Sequence, residues 1–287
     1  MTRLPDDLSV LVRGWLHGNV TFIAGPRPAC VDSGYHSGFD ALRAAFEAFG
    51  GPVTDLAEIA LTHVHSDHSG GVADLVAASG ARVSGHPDAK DLVDRWDVDG
   101  LWLGPTGQVL PRFAMDRAIV EGDEIQLGAR TWRVLWTPGH ATGGVAFFDP
   151  SDGVLITGDA LWEDGFGLLD PWADGPDVFD LAARALETLS ALDAQVVIPG
   201  HGQPFSDLAG ALARARSRLA HLRQNPERLR RQVVRNGVMF YGLAHPDATP
   251  ADLLERLQIM ARVHPPTAPD APSTEALVAG LIAEVRR

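Results

Sequence analysis

Cysteine is almost missing from this 287-residue chain, Cys30 standing alone. A single thiol forms no intramolecular disulfide and no thiolate metal cage, so nothing calls for an oxidising compartment. Lysine is equally scarce: Lys90 is the one ammonium side chain beside 23 arginines. Together these 24 bases face 37 acids, a formal charge of −13. No nucleic-acid partner is expected, because phosphate repels an acidic chain. No apolar run approaches the roughly 20 residues that cross a bilayer, so no membrane span is expected. The opening MTRLPDDLSVLVRGW has acidic residues and Pro5 where a secretory signal needs an unbroken apolar stretch, which points to a cytoplasmic protein.

What remains is ordinary globular material. Hydrophobic residues make up 45% and charged residues 21%, enough for one large domain or a domain with an appendage. Charge divides the chain unevenly, residues 1–206 carrying net −17 and residues 207–287 net +4. The first part has short apolar runs that stop at Gly, Pro or Asp, among them ARVSGH, RTWRVLWTPGH, GVAFFDP, GVLITGD and AQVVIPGHG. These predict strands ending in loops. Between them GFDALRAAFEAFG, GGVADLVAASG and DVFDLAARALETLSALD have helical spacing, so sheets covered by helices are expected. The second part, from DLAGALARARSRLAHLRQ to STEALVAGLIAEVRR, predicts two to four helices, with HPPTAPDAPS at 264–273 as a connection between two of them. The expected division is a domain at 1–206 and a helical region at 207–287.

The densest chemistry lies in LTHVHSDHSGG, where His63, His65, Asp67 and His68 fall within six residues, directly after an apolar run. Such a pattern arises by chance in about one chain in a thousand of this length. Alternate residues leaving a strand project to one side, so His63 and His65 can reach one ion, and Asp67 and His68, past the bend, another. Ser66, Ser69, Gly70 and Gly71 allow the sharp turn that this requires. Three more apolar runs end in a Gly turn and a ligand-type side chain: His140, Asp159 and His201. Taken singly, each is an ordinary strand-end turn. Added to the first cluster they make five His and two Asp, nitrogen and oxygen donors suited to Zn or another first-row metal.

In this order of motifs the chain resembles the metallo-β-lactamase superfamily over roughly residues 15–205: Asp32 after a strand, the His63/His65/Asp67/His68 cluster, His140, Asp159 and His201. The resemblance implies an α+β fold, an αββα sandwich with its metals at the edge of two facing sheets, here extended by C-terminal helices. It implies His63, His65 and His140 at one metal and Asp67, His68 and His201 at the other, with Asp159 bridging both. Asp32 would support a ligand without binding metal itself. Two ions about 3.5 to 4 Å apart can hold a bridging hydroxide and polarise a carbonyl, so hydrolysis is the expected reaction, with Asp67 and Asp159 as its catalytic carboxylates. Two Zn are expected, with Fe or Mn as the alternative.

Within the superfamily, His65 argues against the di-iron flavoproteins, which carry a carboxylate there, and Asp159 argues against the β-lactamases proper. No extra domain or RNA-binding arm points to a nuclease. GDALWEDGFG is similar to the stretch after the bridging Asp in glyoxalase II, although TPGHATGG has no second His after its loop. The expected activity is therefore glyoxalase II-like cleavage of a thioester, ester or lactone. A one-iron sulfur dioxygenase and a non-catalytic, regulatory metal-binding protein are the two rivals. Trp162, Phe166 and Trp172 follow Asp159 and are expected to wall an acyl pocket, with Tyr241 placed to hydrogen-bond a substrate carbonyl. The arginines at 214, 216, 218, 223, 228, 230, 231 and 235 could attract an anionic thioester or simply form a solvated face. The expected partner is a small-molecule substrate, with a homo-oligomer also open.

Overall fold

A computed structural model describes residues 2–267 and 271–285. Met1, residues 268–270 of the connection expected at 264–273, and Arg286 and Arg287 lie outside the described residues.

Two sheets face each other. The first, in spatial order, runs β1 (Leu8–Leu11), β2 (Val20–Ile23), β3 (Ala29–Val31), β4 (Glu58–Ala60), β5 (Arg82–Gly85) and β6 (Arg117–Ala118). It is antiparallel up to β3 and parallel from there on. The second has the order β11 (Val196–Pro199), β10 (Val154–Gly158), β9 (Val145–Asp149), β8 (Arg130–Trp136), β7 (Glu124–Leu127), with only β10 and β11 parallel.

Strands β9, β10 and β11 are apolar without a break because both of their faces are covered. Their two-residue period sorts the side chains. Val145, Phe147, Val154, Ile156, Val196 and Ile198 point between the sheets, where they meet Ile23, Val31 and Ala60 of the first sheet. Ala146, Phe148, Leu155 and Val197 point outward into a layer of helices. Burying a Phe, Ile or Val side chain in this way contributes about 1.5–3 kcal/mol.

Helices α1 (Phe39–Gly50), α3 (Val72–Ser79) and α4 (Pro87–Arg95) cover the other face of the first sheet, through Leu42, Phe46, Leu75 and Val93. Between α1 and α3, the single turn α2 (Ser66–Ser69) sits at the sandwich edge, and α5 (Leu103–Thr106) follows α4. On the second sheet lie α6 (Val178–Ser190), α7 (Leu208–Gln224), α8 (Pro226–Ala244), α9 (Pro250–Val263) and α10 (Thr274–Val285). The expected αββα sandwich is present, and the C-terminal part supplies four helices.

The change of charge at 206/207 falls at Asp207, whose side chain caps α7 by accepting from Gly210 N. The core has no break there. One apolar cluster runs from Leu135 through Leu186, Leu212, Val233 and Met260 to Leu281, so α7–α10 thicken the helix layer of the second sheet. Helix α9 starts with a capping box between Thr249 and Asp252, followed by Pro250 at its first position. Fully buried Arg230 ties α8 to the segment after α9, donating to the carbonyls of His264 (2.6 Å) and Pro272 (2.8 Å). Among the described residues no helix is long and apolar enough to cross a membrane.

Candidate metal centre

The loops that leave β3, β4, β8, β10 and β11 meet at one edge of the sandwich. Strand β4 delivers His63 and His65. Helix α2 then turns Asp67 and His68 back toward them. His140 follows β8, Asp159 follows β10 directly, and His201 follows β11 after Gly200. Donor atoms of His63, His65 and His140 lie within 4.8 Å of one another, as do those of Asp67, His68 and His201, and those of His63, His68 and Asp159. The structure thus brings all seven expected ligands together. Asp159 stands between the groups: its Oδ1 is 3.4 Å from His68 Nε2 and its Oδ2 3.4 Å from His140 Nε2.

Three of the five rings are held from behind. His140 Nδ1 donates to the Leu168 carbonyl at 2.6 Å, which leaves Nε2 as a lone pair facing the centre. His68 Nδ1 donates to Asp32 Oδ2 at 2.8 Å, and His63 Nδ1 lies 3.0 Å from the Thr62 hydroxyl. The opposite nitrogens, His63 Nε2 and His68 Nε2, are buried with no hydrogen-bond partner among the described residues. A buried polar atom without a partner costs about 1–3 kcal/mol, a cost that a coordinated cation removes. These orphaned nitrogens, in an all-imidazole and carboxylate donor set, fit a first-row metal.

Asp32 lies outside the donor groups and, at φ +62°, in the left-handed region rare for a non-glycine residue. Its side chain explains the strain: Oδ1 accepts from Thr62 N and Oδ2 from both the Thr62 hydroxyl and His68 Nδ1, all at 2.8 Å. One carboxylate thereby fixes two parts of the metal loop. Gly200 is equally constrained, since a Cβ there would lie 2.1 Å from Asp159 Oδ1 and 2.8 Å from the Gly158 carbonyl carbon.

Burial favours neutral rings at His63, His65 and His140, pushing His65 down to about 3 and the other two below the usual imidazole value. His68 is buried as deeply, but Asp159, Asp67 and Asp32 surround it and hold its pKa well above the ordinary value. Burial alone would raise Asp67 and Asp159. The His68 and His201 charges outweigh it and keep both carboxyls below their usual range. The carboxylates are therefore anionic and three of the rings neutral, the forms that bind metal.

The centre floors a cavity of about 100 Å³. Its apolar wall consists of Trp15, Trp102, Trp162 and Phe240. Trp15 stacks on the His201 ring (5.8 Å, 25°) and meets Trp162 edge-on at 5.9 Å. Trp162 also donates from Nε1 to Asp159 Oδ1 at 3.0 Å. Of the four aromatic residues expected to line the pocket, only Trp162 does so. Phe166 is buried in the core behind the site, with Arg218 over its ring. Trp172 turns away, donating to Pro265 O at 3.1 Å and packing on His264. Tyr241 packs on His245 and Arg256. On α8, positions 232, 236 and 240 share the face toward the cavity, and Tyr241 is rotated about 100° from it.

Several wall residues carry no motif. Trp15 and Trp102 lie far from the ligands in sequence, and Gln232, Asn236 and Phe240 read as parts of an ordinary helix. Asn19 is similar: its Nδ2 donates to Pro199 O and Gly202 O, both at 2.8 Å, and so braces the His201 loop. The spacing of 232, 236 and 240 along one helical stripe is the signal that would have found the α8 face.

A hydroxyacylglutathione hydrolase of Cereibacter sphaeroides is 36% identical over 151 residues, covering 51% of this chain and 48% of that protein. One of Fuscovulum blasticum is 31% identical over 216 residues, 73% of this chain and 68% of its own length. The chain thus spans about half the length of the Cereibacter relative. Among solved structures, a metallo-beta-lactamase family protein from Thermus thermophilus superposes with a TM-score of 0.65 at 24% identity, covering 99% of this chain and 95% of its own. A subclass B3 metallo-beta-lactamase of Bradyrhizobium japonicum gives 0.62 at 21% identity, covering 79% and 94%. The family model described as Metallo-beta-lactamase superfamily matches residues 13–201, from just before the aromatic wall to the last imidazole of the centre, and to that superfamily the chain belongs.

Proposed function

We propose that this protein is a binuclear, zinc-dependent hydrolase that opens a thioester, ester or lactone of a small molecule, a thioester first among them. The observation that carries this reading is the convergence of two donor triads on the two oxygens of Asp159, at the floor of an aromatic-walled cavity. His63, His65 and His140 would hold one ion and Asp67, His68 and His201 the other, with Asp159 shared. Bound there, two divalent ions would acidify a water and polarise a carbonyl.

The chain's own groups do the rest. Asp32 and the Leu168 carbonyl hold His68 and His140 in the tautomer that presents Nε2, and the Trp162 indole N–H steadies Asp159. Trp15 and Trp162 cover His201 and reduce water access, which strengthens every charge interaction beneath them. Cys30 is no rival nucleophile: it is buried in the first sheet, where burial pushes its thiol far up. That single buried thiol fits work in the reducing cytoplasm. Support for a thioester comes from the named activity of the 31–36% identical relatives.

Elemental analysis of the purified protein, run beside a panel of thioesters, lactones and phosphodiesters, tests the proposal. Two Zn per chain with thioester turnover is the expected result, lost in His65→Ala and Asp159→Ala. One Fe per chain with thiol-dependent oxygen uptake would replace the reading by the dioxygenase, and absence of bound metal would end it.

A further inference from the structure

Besides Asp32, two tryptophans hold a backbone conformation that a bulky side chain rarely adopts, Trp96 at φ +50° and Trp102 at φ +63°. Trp96 ends α4, and its N–H closes that helix on the Leu92 and Val93 carbonyls, a common use of a left-handed residue. Trp102 instead opens α5, where the leading residue is normally extended. Strain of this kind, about 1–3 kcal/mol, persists only where the surroundings fix it, and it collects at ligand clamps. Trp102 lines the cavity above the metal centre, its ring 5.9 Å from that of His65.

The groups that fix it come from the helical cover. Within α5 the Thr106 hydroxyl donates to the Trp102 carbonyl, but the last carbonyls of a single turn find no partners inside it. Arg256 of α9 supplies them, donating from Nη1 to the carbonyls of Gly104 (3.1 Å) and Pro105 (2.7 Å), and His245, just after α8, donates from Nε2 to that of Gly107 (2.7 Å). The Arg256 guanidinium lies 4.6 Å over the Tyr241 ring, which gives that tyrosine its place. Gly107, at φ +65°, leaves the room, since a Cβ there would lie 2.6 Å from Arg256 Nη2 and 2.8 Å from Tyr241 Cδ2. At its other end the segment is held by the floor: the Ser66 hydroxyl, between His65 and Asp67 in sequence, donates to Gln108 Oε1 at 2.7 Å, and Val109 N donates to the Tyr35 hydroxyl at 3.0 Å. Residues 102–109 thus form a strap from the cover to the metal loop that carries Trp102, Thr106 and Gln108 into the cavity. We propose that Arg256, which does not line the cavity itself, is a positioning residue for the substrate: it holds Trp102 as the wall beside His65, and substrate affinity depends on it through Trp102. This rests on the hydrolase reading above.

The test uses zinc-loaded protein and the panel thioester that wild type turns over fastest. Arg256→Ala should raise KM about tenfold, with kcat within about threefold of wild type and zinc content unchanged. Trp102→Ala should raise KM as much, and the double variant no more than about twofold beyond either single one, because all three remove the same wall. Arg256→Lys, which keeps the charge on Tyr241 but loses one of the two carbonyl bonds, should lie between wild type and Arg256→Ala, and serves alone where the alanine variant does not fold. Losses that multiply in the double variant overturn the proposal, as does an unchanged KM, or a joint fall of kcat and zinc content that would mark Arg256 as a support of the fold. Amide hydrogen exchange without substrate separates this proposal from the hydrolase reading: in Arg256→Ala, residues 102–109 should exchange about tenfold faster while residues 58–68 keep their wild-type rates. Wild-type rates at 102–109 reject the proposal. If no thioester turns over, the hydrolase reading falls, and the exchange result by itself decides whether Arg256 holds Trp102.

Discussion

The metal edge and its helical cover are built in opposite ways. At the edge, every candidate ligand follows a strand within eight residues, five of them in loops and Asp67 and His68 on the single turn α2, and backbone and buried carboxylates orient His68 and His140. In the cover, the cavity-facing residues come from the middle of α7 and α8, and their positions depend on how those helices pack on α6 and α9. The first arrangement is local and tolerates no displacement. The second is a packed surface, and such surfaces can change while the chemistry below them persists.

The sharpest way to break this contrast is Asp159→Ala. Removing the carboxylate shared by both triads should lower activity by more than about a thousandfold and metal content to one ion or none, read by elemental analysis. The helical cover should keep its far-ultraviolet circular dichroism. Asp32→Asn is milder: it keeps the shape but removes the charge behind His68, and metal affinity should fall about 10–100-fold in a chelator competition. Unchanged affinity would mean that the Thr62 contacts alone orient the loop.

Two further changes probe the cover by itself. Arg230→Ala strands the buried carbonyls of His264 and Pro272 and leaves a cavity. It should cost about 2–4 kcal/mol in denaturant unfolding while metal stoichiometry stays as in wild type. Loss of metal in that variant would show that the cover and the edge are not separable.

The smallest expected effect is a pH dependence at Asp174, close to the Asp170–His264 pair (2.6 Å) that joins the loop before α6 to the end of α9. Burial, then the Asp170 charge, raises the Asp174 carboxyl to about 7, and its Oδ2 is buried without a partner among the described residues. A raised carboxyl pKa means that the folded state holds a proton the unfolded chain has lost. Stability should therefore fall as pH rises from about 4 to about 7. Asp174→Asn should remove that slope, gaining about 1 kcal/mol over wild type at pH 7.5 and nothing at pH 4, measured as Tm across the range.

Much of this molecule is legible in its sequence because the decisive patterns are local. The continuous apolar runs in VAFFD and VLITG mark strands buried on both faces, and the Gly turns after β8, β10 and β11 mark where His140, Asp159 and His201 leave the sheet. Three imidazoles and a carboxylate within six residues have no common structural use, so HVHSDH stands out without any knowledge of its partners. The aromatic wall was not legible in the same way. Trp162 has its place because it follows Asp159, but Phe166, Trp172 and Tyr241 are equally aromatic, and packing sent them elsewhere.

By itself, then, the sequence determined sheets covered by helices, the seven candidate donors and the metal chemistry they suit, because strand period, turn residues and ligand type are properties of short segments, while the αββα arrangement was implied by the resemblance that the order of those motifs carries. The tertiary structure alone decided which side chains line the cavity above the centre. Helices from the far end of the chain complete that wall, with Gln232, Asn236 and Phe240 of α8 and Arg218 of α7. The register of one helix against another depends on the whole packed core, and no short segment records it.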